Sequence, residues 1–377
     1  MKKRSVMKKK LLVLATSTVM MVGATVALSP AANAACGGNF KIYFQGALTG
    51  PYAETGINEN NGVILAIKDY NKTASVKLEA AAIDTQASGA QSPALAKKVV
   101  DDECALGVVG GMYSGETINA VPVYEGGGVP VISPSATNPA LTNKSPVFHR
   151  VVANDLVQGP ALATISKRIG KKIFVVDDAT PYGKGLAKIV KINLKSSQLA
   201  GTDAVTEGTT NFSSVVSKVK SSKADVVFYG GYYPEAAIFI KALRDNPATK
   251  NVKFVAGDGV LDGEYIKLAG KNAEGSYLTA PGLPMKTAAP KLYAAYKKEF
   301  NREPGLYTLE AYNAAWFFTQ AVKAGNTTRA SINKFIDDEV IKGVGMTMSF
   351  GPSGDSETIV MNEYTIKNGQ MVWVRKL

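Results

Sequence analysis

The sequence predicts an α/β protein that is built of two doubly wound lobes. Short β-rich runs alternate with longer helical stretches, which is typical of parallel sheets covered by helices. Most of the β-rich runs are almost continuously apolar, as expected for strands that are buried on both faces. The chain has 377 residues, which is more than a single core usually holds. With 46% hydrophobic and 20% charged residues, its composition excludes a disordered chain, a collagen-like repeat and a multi-span membrane protein.

Seven strands and seven helices are predicted before residue 257. The strands are 40–44, 76–83, 106–109, 129–133, 172–177, 224–229 and 252–256, and the helices between them are 58–70, 93–102, 117–124, 158–169, 183–194, 212–219 and 235–244. The alternation stops after about residue 280, and from there the prediction is two consecutive helices, 288–300 and 307–322, followed by strands at 346–350, 358–367 and 372–374. The linkers are short, so we expect the two domains to pack closely together.

Residues 1–34 are predicted to be a signal peptide that is removed on export. A basic stretch over residues 1–10 precedes an apolar stretch over residues 11–28, and Ala32-Asn33-Ala34 forms an A-x-A cleavage pattern. A single membrane anchor is the alternative, because the apolar stretch is nearly long enough to span a bilayer. Removing the six basic residues of this segment lowers the net charge from +12 to +6. The charge balance therefore gives no reason to expect a nucleic-acid partner.

Export makes the two cysteines, Cys36 and Cys104, candidates for a disulfide bond, because secreted proteins fold in oxidising compartments. Each cysteine shortly precedes a predicted strand. If those two strands are parallel neighbours, both cysteines lie at the same end of the sheet and within bridging distance. Lipidation of Cys36 after cleavage is the alternative, although a lipid-modification box normally has Leu where Asn33 stands.

Several strand-to-helix junctions carry residues that could bind a small ligand. In open α/β sheets, ligands bind at the carboxyl ends of the strands. The junctions of the first half, rich in small residues and hydroxyl groups, are 46–52, 110–117 and 133–139. Free amides before a helix can hold an anion such as a carboxylate. In the second half, junctions 178–183 and 229–234 carry tyrosines, and Asp258 lies between two glycines. The two halves together suit a zwitterionic ligand.

The sequence carries no motif of a nucleotide-binding protein or of a serine hydrolase. It has no G-x-x-x-x-G-K-[ST] phosphate loop, and Lys188 replaces the third glycine of a dinucleotide fingerprint. The segment around Ser114 lacks the G-x-S-x-G pattern, and the only histidine, His149, is expected to be structural. One histidine and two cysteines cannot form a histidine-rich or four-cysteine metal site. We therefore expect no enzyme activity, no metal and no cofactor.

The order and spacing of the junction motifs resemble one family over essentially the whole mature chain. The motifs are the three junctions of the first half, Tyr182-Gly183-x-Gly185-Leu186 and Gly230-Gly231-Tyr232-x-Pro234-Glu235. They are similar to the extracytoplasmic branched-chain amino acid-binding proteins of ABC transporters. The resemblance implies the type I periplasmic binding protein fold, with the ligand in the cleft between two lobes. It also implies a monomer that captures a free amino acid and delivers it to a membrane permease, without chemistry on the ligand.

The resemblance places the lobe boundaries and the ligand contacts at particular residues. The N-terminal lobe is expected at 35–150 plus 281–345 and the C-terminal lobe at 151–280 plus 346–377, with crossovers near Arg150, Pro281 and Met346. Ser114 matches the serine that holds the ligand carboxylate, and Thr137 matches the hydroxyl that bridges carboxylate and ammonium. Asp258 matches the acidic partner of the ammonium. The remaining expected contacts are backbone groups of Ser135 and Ala136 and the side chains of Tyr52, Tyr182 and Tyr232.

Two positions depart from the family pattern and leave the ligand open. The acidic position is more often Glu than Asp, so Asp258 must lie closer to the ammonium or use a water. Glu116 stands where small hydroxyl residues are usual, and it either faces the cleft, where it would favour a polar or cationic ligand, or points to solvent at a helix start. An amide, urea or aromatic acid ligand remains an alternative, as does an exported hydrolase that uses Ser114.

Overall fold

The computed structural model of this protein describes Cys36 and residues 39–377. The predicted signal peptide, residues 1–34, lies outside the described residues. The strands are β1 (Asn39–Gly46), β2 (Lys77–Asp84), β3 (Ala105–Gly110), β4 (Val131–Ser133), β5 (Phe148–Arg150), β6 (Ile173–Asp177), β7 (Leu199–Ala204), β8 (Val226–Gly230), β9 (Lys253–Ala256), β10 (Tyr277–Ala280), β11 (Ile341–Lys342), β12 (Thr347–Met348), β13 (Asn362–Lys367) and β14 (Gln370–Lys376).

Twelve α-helices connect or follow these strands in the described residues. They are α1 (Ala53–Asn71), α2 (Ser92–Asp101), α3 (Ser114–Gly126), α4 (Asp155–Ile169), α5 (Pro181–Ile192), α6 (Ser213–Ser222), α7 (Tyr233–Asp245), α8 (Gly263–Ala269), α9 (Met285–Ala288), α10 (Pro290–Phe300), α11 (Thr308–Lys323) and α12 (Arg329–Asp338). No helix within this part of the chain is both long enough and apolar enough to span a membrane.

Two sheets form the centres of the two lobes. The first has the order β2-β1-β3-β4-β5 and all its strands are parallel. The second has the order β14-β13-β10-β9-β8-β6-β7, in which β13 and β14 run antiparallel to their neighbours. Strands β3, β6 and β8 are buried along their whole length, which is why they read as continuous apolar runs in the sequence.

Four strands escaped the sequence prediction for local reasons. β11 has only two residues and pairs with β12. β5 has only three residues, and Phe148, His149 and Arg150 show no strand pattern. β7, Leu-Ala-Gly-Thr-Asp-Ala, is an edge strand with a half-exposed and polar sequence. β10 has four residues and is extended only by its pairing with β9 and β13.

The chain passes between the sheets after Arg150, after β10 and again near the end. The helices that follow β10 return to the first lobe, where α11 packs against α1. Their approach is so close that a Cβ atom at Gly62 would lie 2.5 Å from the carbonyl oxygen of Thr308. Past β12, the chain still contacts the first sheet, because Asp355 forms a bridge with Arg150 before β13 joins the second sheet. The guanidinium of Arg150 is fully buried and forms an ion pair with Asp355.

Cys36 and Cys104 form a disulfide bond, and their Cα atoms are 5.4 Å apart. β1 and β3 are parallel neighbours, and the amide of Lys41 donates to the carbonyl oxygen of Cys104 at 2.8 Å. The bond closes a loop with a sequence separation of 68, which by chain-entropy arguments stabilises the fold by about 4 kcal/mol. The disulfide predicted from the sequence is present, and it joins the amino ends of two neighbouring strands.

Candidate functional site

A cavity lies between the two lobes, at the carboxyl ends of strands from both sheets. It has a free volume of about 30 Å³ and is partly open to solvent. Its first-lobe wall follows β3 and β4 and includes α1, and its second-lobe wall follows β8 and β9. The lining residues are Thr55, Glu59, Met112, Tyr113, Ser114, Ser135, Tyr182, Tyr232, Asp258, Gly259, Leu261, Asp262, Leu306 and Tyr307.

The first-lobe wall presents a serine at a helix start, whereas Thr137 lies outside the residues that line the cavity, next to the carboxyl group of Asp155. Ser114 is the first residue of α3, and its Oγ accepts a hydrogen bond from the amide of Asn138 at 3.2 Å. The Thr137 hydroxyl is buried and has no hydrogen-bond partner among the described residues. The amino end of a helix attracts negative charge, because the first peptide N–H groups lack helical acceptors. This wall is therefore suited to hold a carboxylate.

The loop that carries Ser135 and Ala136 is fixed from behind. The Ser135 hydroxyl donates to the carbonyl oxygen of Met112 at 2.9 Å. The buried guanidinium of Arg150 donates to the carbonyl oxygens of Ala136, at 3.1 Å, and Asn138, at 2.9 Å. Ser135 lines the cavity, whereas Ala136 is buried behind it. The ion pair of Arg150 thus holds the loop in place.

The second-lobe wall centres on the carboxylate of Asp258. Its Oδ1 accepts a hydrogen bond from the Tyr182 hydroxyl at 2.9 Å, and its Oδ2 accepts one from the Tyr307 hydroxyl. The ring of Tyr182 stacks on that of Tyr232, with centroids 5.1 Å apart. Burial raises the pKa of Asp258 above its ordinary value, although the tyrosine hydroxyls oppose this shift. A ligand ammonium would supply the positive charge that this carboxylate lacks.

A second buried carboxylate, Asp155, lies behind the site. It is the first residue of α4, and neither of its oxygens has a hydrogen-bond partner among the described residues. Burial, together with the charge of Asp258, raises the pKa of Asp155 to about 8. No Lys, Arg or His side chain lines the cavity in the described part of the chain. The cavity therefore has buried carboxyl groups but, among the described residues that line it, no positive side chain to balance them, which favours a cationic group on the ligand.

The lobes are in contact across the cleft, so the structure is in a closed state. The Tyr52 hydroxyl donates to Glu235 at 2.8 Å, and the Thr55 hydroxyl donates to Asp262 at 2.7 Å. The rings of Tyr113 and Tyr232 meet edge to face, with centroids 4.5 Å apart. Tyr52 is thus placed at the cleft edge, outside the residues that line the cavity.

Glu116 neither faces this cavity nor points to solvent. It is fully buried, and its Oε1 accepts hydrogen bonds from the amides of Met112, at 2.8 Å, and Tyr113, at 3.0 Å. Its Oε2 accepts a hydrogen bond from the Thr85 hydroxyl. Burial raises the pKa of Glu116 to about 7, against the effect of these donors. The carboxyl group caps the start of α3 from inside the lobe, because the bonds to residues three and four positions earlier turn it inward.

Nine of the fourteen residues that line the cavity were not predicted from the sequence, and neither was Asp155 behind it. Thr55 and Glu59 lie one turn apart on α1. The available signal was that these two residues and Asn58 extend the apolar, buried face of the helix with polar side chains. Asp155 follows Asn154, whose side chain caps α4. The other lining residues that escaped prediction are Met112, Tyr113, Gly259, Leu261, Asp262, Leu306 and Tyr307.

Tyr307 has a backbone that bulky residues rarely adopt. It lies immediately before α11 with a φ of 65°, in the left-handed region. The loop that holds it there also directs its hydroxyl to Asp258, on the other side of the cleft. A residue kept in such a conformation at a cleft points to a role in binding. No local sequence pattern marks it, because its partner is 49 positions away.

The only histidine lies away from the cavity. The Nε2 atom of His149 is 2.8 Å from Oδ1 of Asp337, and its ring packs on Phe350. It lines a separate pocket together with Ser145 and Pro146. Ser114 therefore has no histidine base among its described partners. Within residue 36 and residues 39–377, no group of three or more His, Cys, Asp or Glu side chains is arranged to hold a metal ion.

The fold and this cleft define a class of binding protein, and the comparison with known families agrees. The family model for periplasmic binding proteins matches residues 40–361, so the chain belongs to the periplasmic binding protein family. The fold is that of the type I periplasmic binding proteins, as the sequence predicted.

Individual relatives show which periplasmic binding proteins the chain resembles. The chain is 31% identical over 347 residues to the Leu/Ile/Val-binding protein of Citrobacter freundii, covering 89% of this chain and 92% of that protein. It is 29% identical over 334 residues to the leucine-, isoleucine-, valine-, threonine- and alanine-binding protein of Pseudomonas aeruginosa, covering 86% and 89%. A solved structure of the branched-chain amino acid transporter substrate binding protein LivJ from Streptococcus pneumoniae, in complex with isoleucine, has a TM-score of 0.81 and 25% identity, covering 90% of this chain and 100% of that chain. The predicted resemblance to branched-chain amino acid-binding proteins is confirmed.

Proposed function

We propose that this protein binds a free α-amino acid in the cleft by lobe closure and delivers it to an ABC transporter permease. The proposal rests on one observation: the cavity has one group that suits a negative charge and another that suits a positive charge. Ser114, at the start of α3, suits a carboxylate, and Asp258 suits an ammonium, and both residues line the cavity. An α-amino acid carries both groups on one carbon. The names of the relatives, which bind leucine, isoleucine and valine, support the same ligand class.

Capture follows from which lobe supplies which group. The first lobe alone offers Ser114, so the carboxylate binds there in the open state. Closure then brings Asp258, Tyr182 and Tyr232 onto the ammonium and the rest of the ligand. A buried carboxylate without a positive partner is costly, so an empty cleft resists closure and a filled one favours it. The closed shape is then the signal for the permease.

The site of action is outside the cytoplasm. The predicted signal peptide, the disulfide between Cys36 and Cys104 and the periplasmic binding protein family all support an exported protein. The lobes, taken as 35–150 plus 281–345 and 151–280 plus 346–377, move about the three crossovers. The protein acts on no bond of its ligand, and a monomer is sufficient for the cycle.

The test is isothermal titration of the mature chain with the twenty amino acids, after refolding to remove carried-over ligand. Replacing Asp258→Asn should weaken binding at least about 100-fold, because it removes one partner of a buried charge pair. Asp178→Asn is the matched control: Asp178 is also a buried carboxylate of the second lobe, but it does not line the cavity. Unchanged affinity in Asp258→Asn, with both variants folded, would overturn the proposal.

The same titration separates amino acids from the other ligand classes. A 2-hydroxy acid analogue of a binding amino acid keeps the carboxylate and the side chain but lacks the ammonium. We expect it to bind the wild-type protein weakly and to be insensitive to Asp258→Asn. Tight binding of an amide, urea or aromatic acid, without any amino acid binding, would show that the cleft serves a non-zwitterionic ligand.

A further inference from the structure

One buried carboxyl group in the cavity is not used by the proposed function, in which Ser114 holds the carboxylate of an amino acid and Asp258 holds its ammonium. Glu59 lies in the middle of α1, is fully buried and lines the cavity. Neither of its oxygens has a hydrogen-bond partner among the described residues. Burial raises the pKa of Glu59 well above its ordinary value. The Ser135 hydroxyl lies close enough to Glu59 to oppose this shift in its pKa, but it donates its proton to the carbonyl oxygen of Met112.

The neighbours of Glu59 make this side of the cavity polar. Thr55, one turn earlier on α1, lines the cavity together with Asp262 of the second lobe. Tyr113 also lines the cavity, its ring meets that of Tyr232 edge to face, and its hydroxyl donates to the carbonyl oxygen of Tyr52 at 3.3 Å. The lining also includes the apolar side chains of Leu261 and Leu306.

We propose that Glu59 and Tyr113 select a small α-amino acid whose side chain carries a hydroxyl group, with threonine preferred over its isostere valine. A buried carboxyl group needs a polar partner in either protonation state, because it accepts when ionised and both donates and accepts when protonated. A short hydroxyl-bearing side chain supplies that partner, and its methyl group contacts Leu261 and Leu306. An aliphatic side chain leaves Glu59 unpaired, and a long one meets the ring of Tyr113.

This inference rests on the proposed amino acid function, and the test separates the two. Isothermal titration of the refolded mature protein compares threonine with valine, which have the same shape and differ by one hydroxyl group. We expect threonine to bind at least about tenfold more tightly, because a site built for a hydroxyl group penalises its absence. If amino acids bind but valine binds as tightly as threonine, the inference is wrong and the proposed function stands. If no amino acid binds, the proposed function fails first.

The residue assignment is tested with variants of buried carboxyl groups. Glu59→Leu should reduce the threonine-to-valine ratio to about one, whereas a purely structural role would weaken both ligands equally. Glu310→Leu is the matched control, because Glu310 is also a buried glutamate on a first-lobe helix but lies outside the cavity lining. It should leave the ratio unchanged. Should Glu59→Leu not fold, Glu59→Gln decides: the amide still bonds a hydroxyl group, so threonine should remain preferred, and a ratio of one in that variant would overturn the assignment.

The size limit is tested at Tyr113. Replacing Tyr113→Ala enlarges the cavity, so leucine should gain affinity relative to threonine by about tenfold. Circular dichroism in the near-ultraviolet range checks that the variant keeps its tertiary packing. A leucine-to-threonine ratio that does not change in the folded variant would show that Tyr113 does not limit the ligand.

Discussion

Two glutamates of the first lobe are equally buried but have opposite surroundings. Glu116, at the start of α3, accepts hydrogen bonds from two backbone amides and the Thr85 hydroxyl. Glu59, in the middle of α1, has no partner among the described residues and lines the cavity. The pKa of each is raised by burial, so the pKa shifts alone do not distinguish their roles.

The difference shows that the partners of a buried charge, rather than its burial, indicate whether it serves the fold or the ligand. A carboxylate with three donors stabilises the loop it caps. A carboxyl group without partners costs free energy in the empty protein and gains a partner only when something enters the cavity. Capping and ligand selection are thus separate tasks of two residues whose side chains are chemically identical.

The largest effect is expected from removing the capping carboxylate. Glu116→Ala leaves the amides of Met112 and Tyr113 and the Thr85 hydroxyl without their acceptor, which should lower the free energy of unfolding by about 4 kcal/mol. Urea unfolding of the ligand-free protein measures this loss. Ligand affinity should not change in the folded fraction, and an affinity that falls more than about tenfold would place Glu116 in the binding site after all.

The pH dependence of stability should reveal the same carboxyl group. The folded-state pKa of Glu116, about 7, lies above the ordinary value of 4.5. Its protonated form is therefore favoured in the folded state, so its contribution is fully present below pH 4.5 and is lost as the pH rises through 7. This one group accounts for up to about 3 kcal/mol, and Glu116→Gln should flatten the decline by a corresponding amount. Urea unfolding of the wild-type protein and of Glu116→Gln at several pH values between 4 and 8 measures this difference. The same slope of stability against pH in both proteins would contradict the prediction.

The contrast between these glutamates also explains what could be read from the sequence. Ser114 and Asp258 follow strand ends, where the change from an apolar strand to a polar loop is a local signal. The alternation of strands and helices predicted the two sheets for the same reason. The fold was thus accessible from short stretches of sequence, and so were the site residues that sit at the ends of strands.

The other site residues depend on contacts between distant segments. Glu59 lies within a helix, and whether it faces a core, a cavity or solvent depends on how α1 packs against α11 and the second lobe. Tyr307 reaches Asp258 only because the helices after β10 return to the first lobe. Glu116 was recognised as unusual, but its inward direction depends on Thr85, which is 31 positions away. A local sequence pattern does not show which distant segments of the chain come into contact.

The smallest expected effect is the change in stability of the ligand-free protein when Glu59 is replaced. It tests the comparison of Glu59 with Glu116 most directly. Glu59→Gln removes a buried ionisable group that has no partner, so the ligand-free protein should keep its stability within about 1 kcal/mol or gain slightly. Glu116→Ala, by contrast, removes the acceptor of three hydrogen bonds and should lower the stability. Urea unfolding of both variants at pH 5, below the folded-state pKa of Glu116, gives the comparison in one experiment. If Glu59→Gln destabilises the empty protein as much as Glu116→Ala does, Glu59 holds the fold together through contacts of its own, and partner count does not separate ligand-binding carboxyl groups from structural ones.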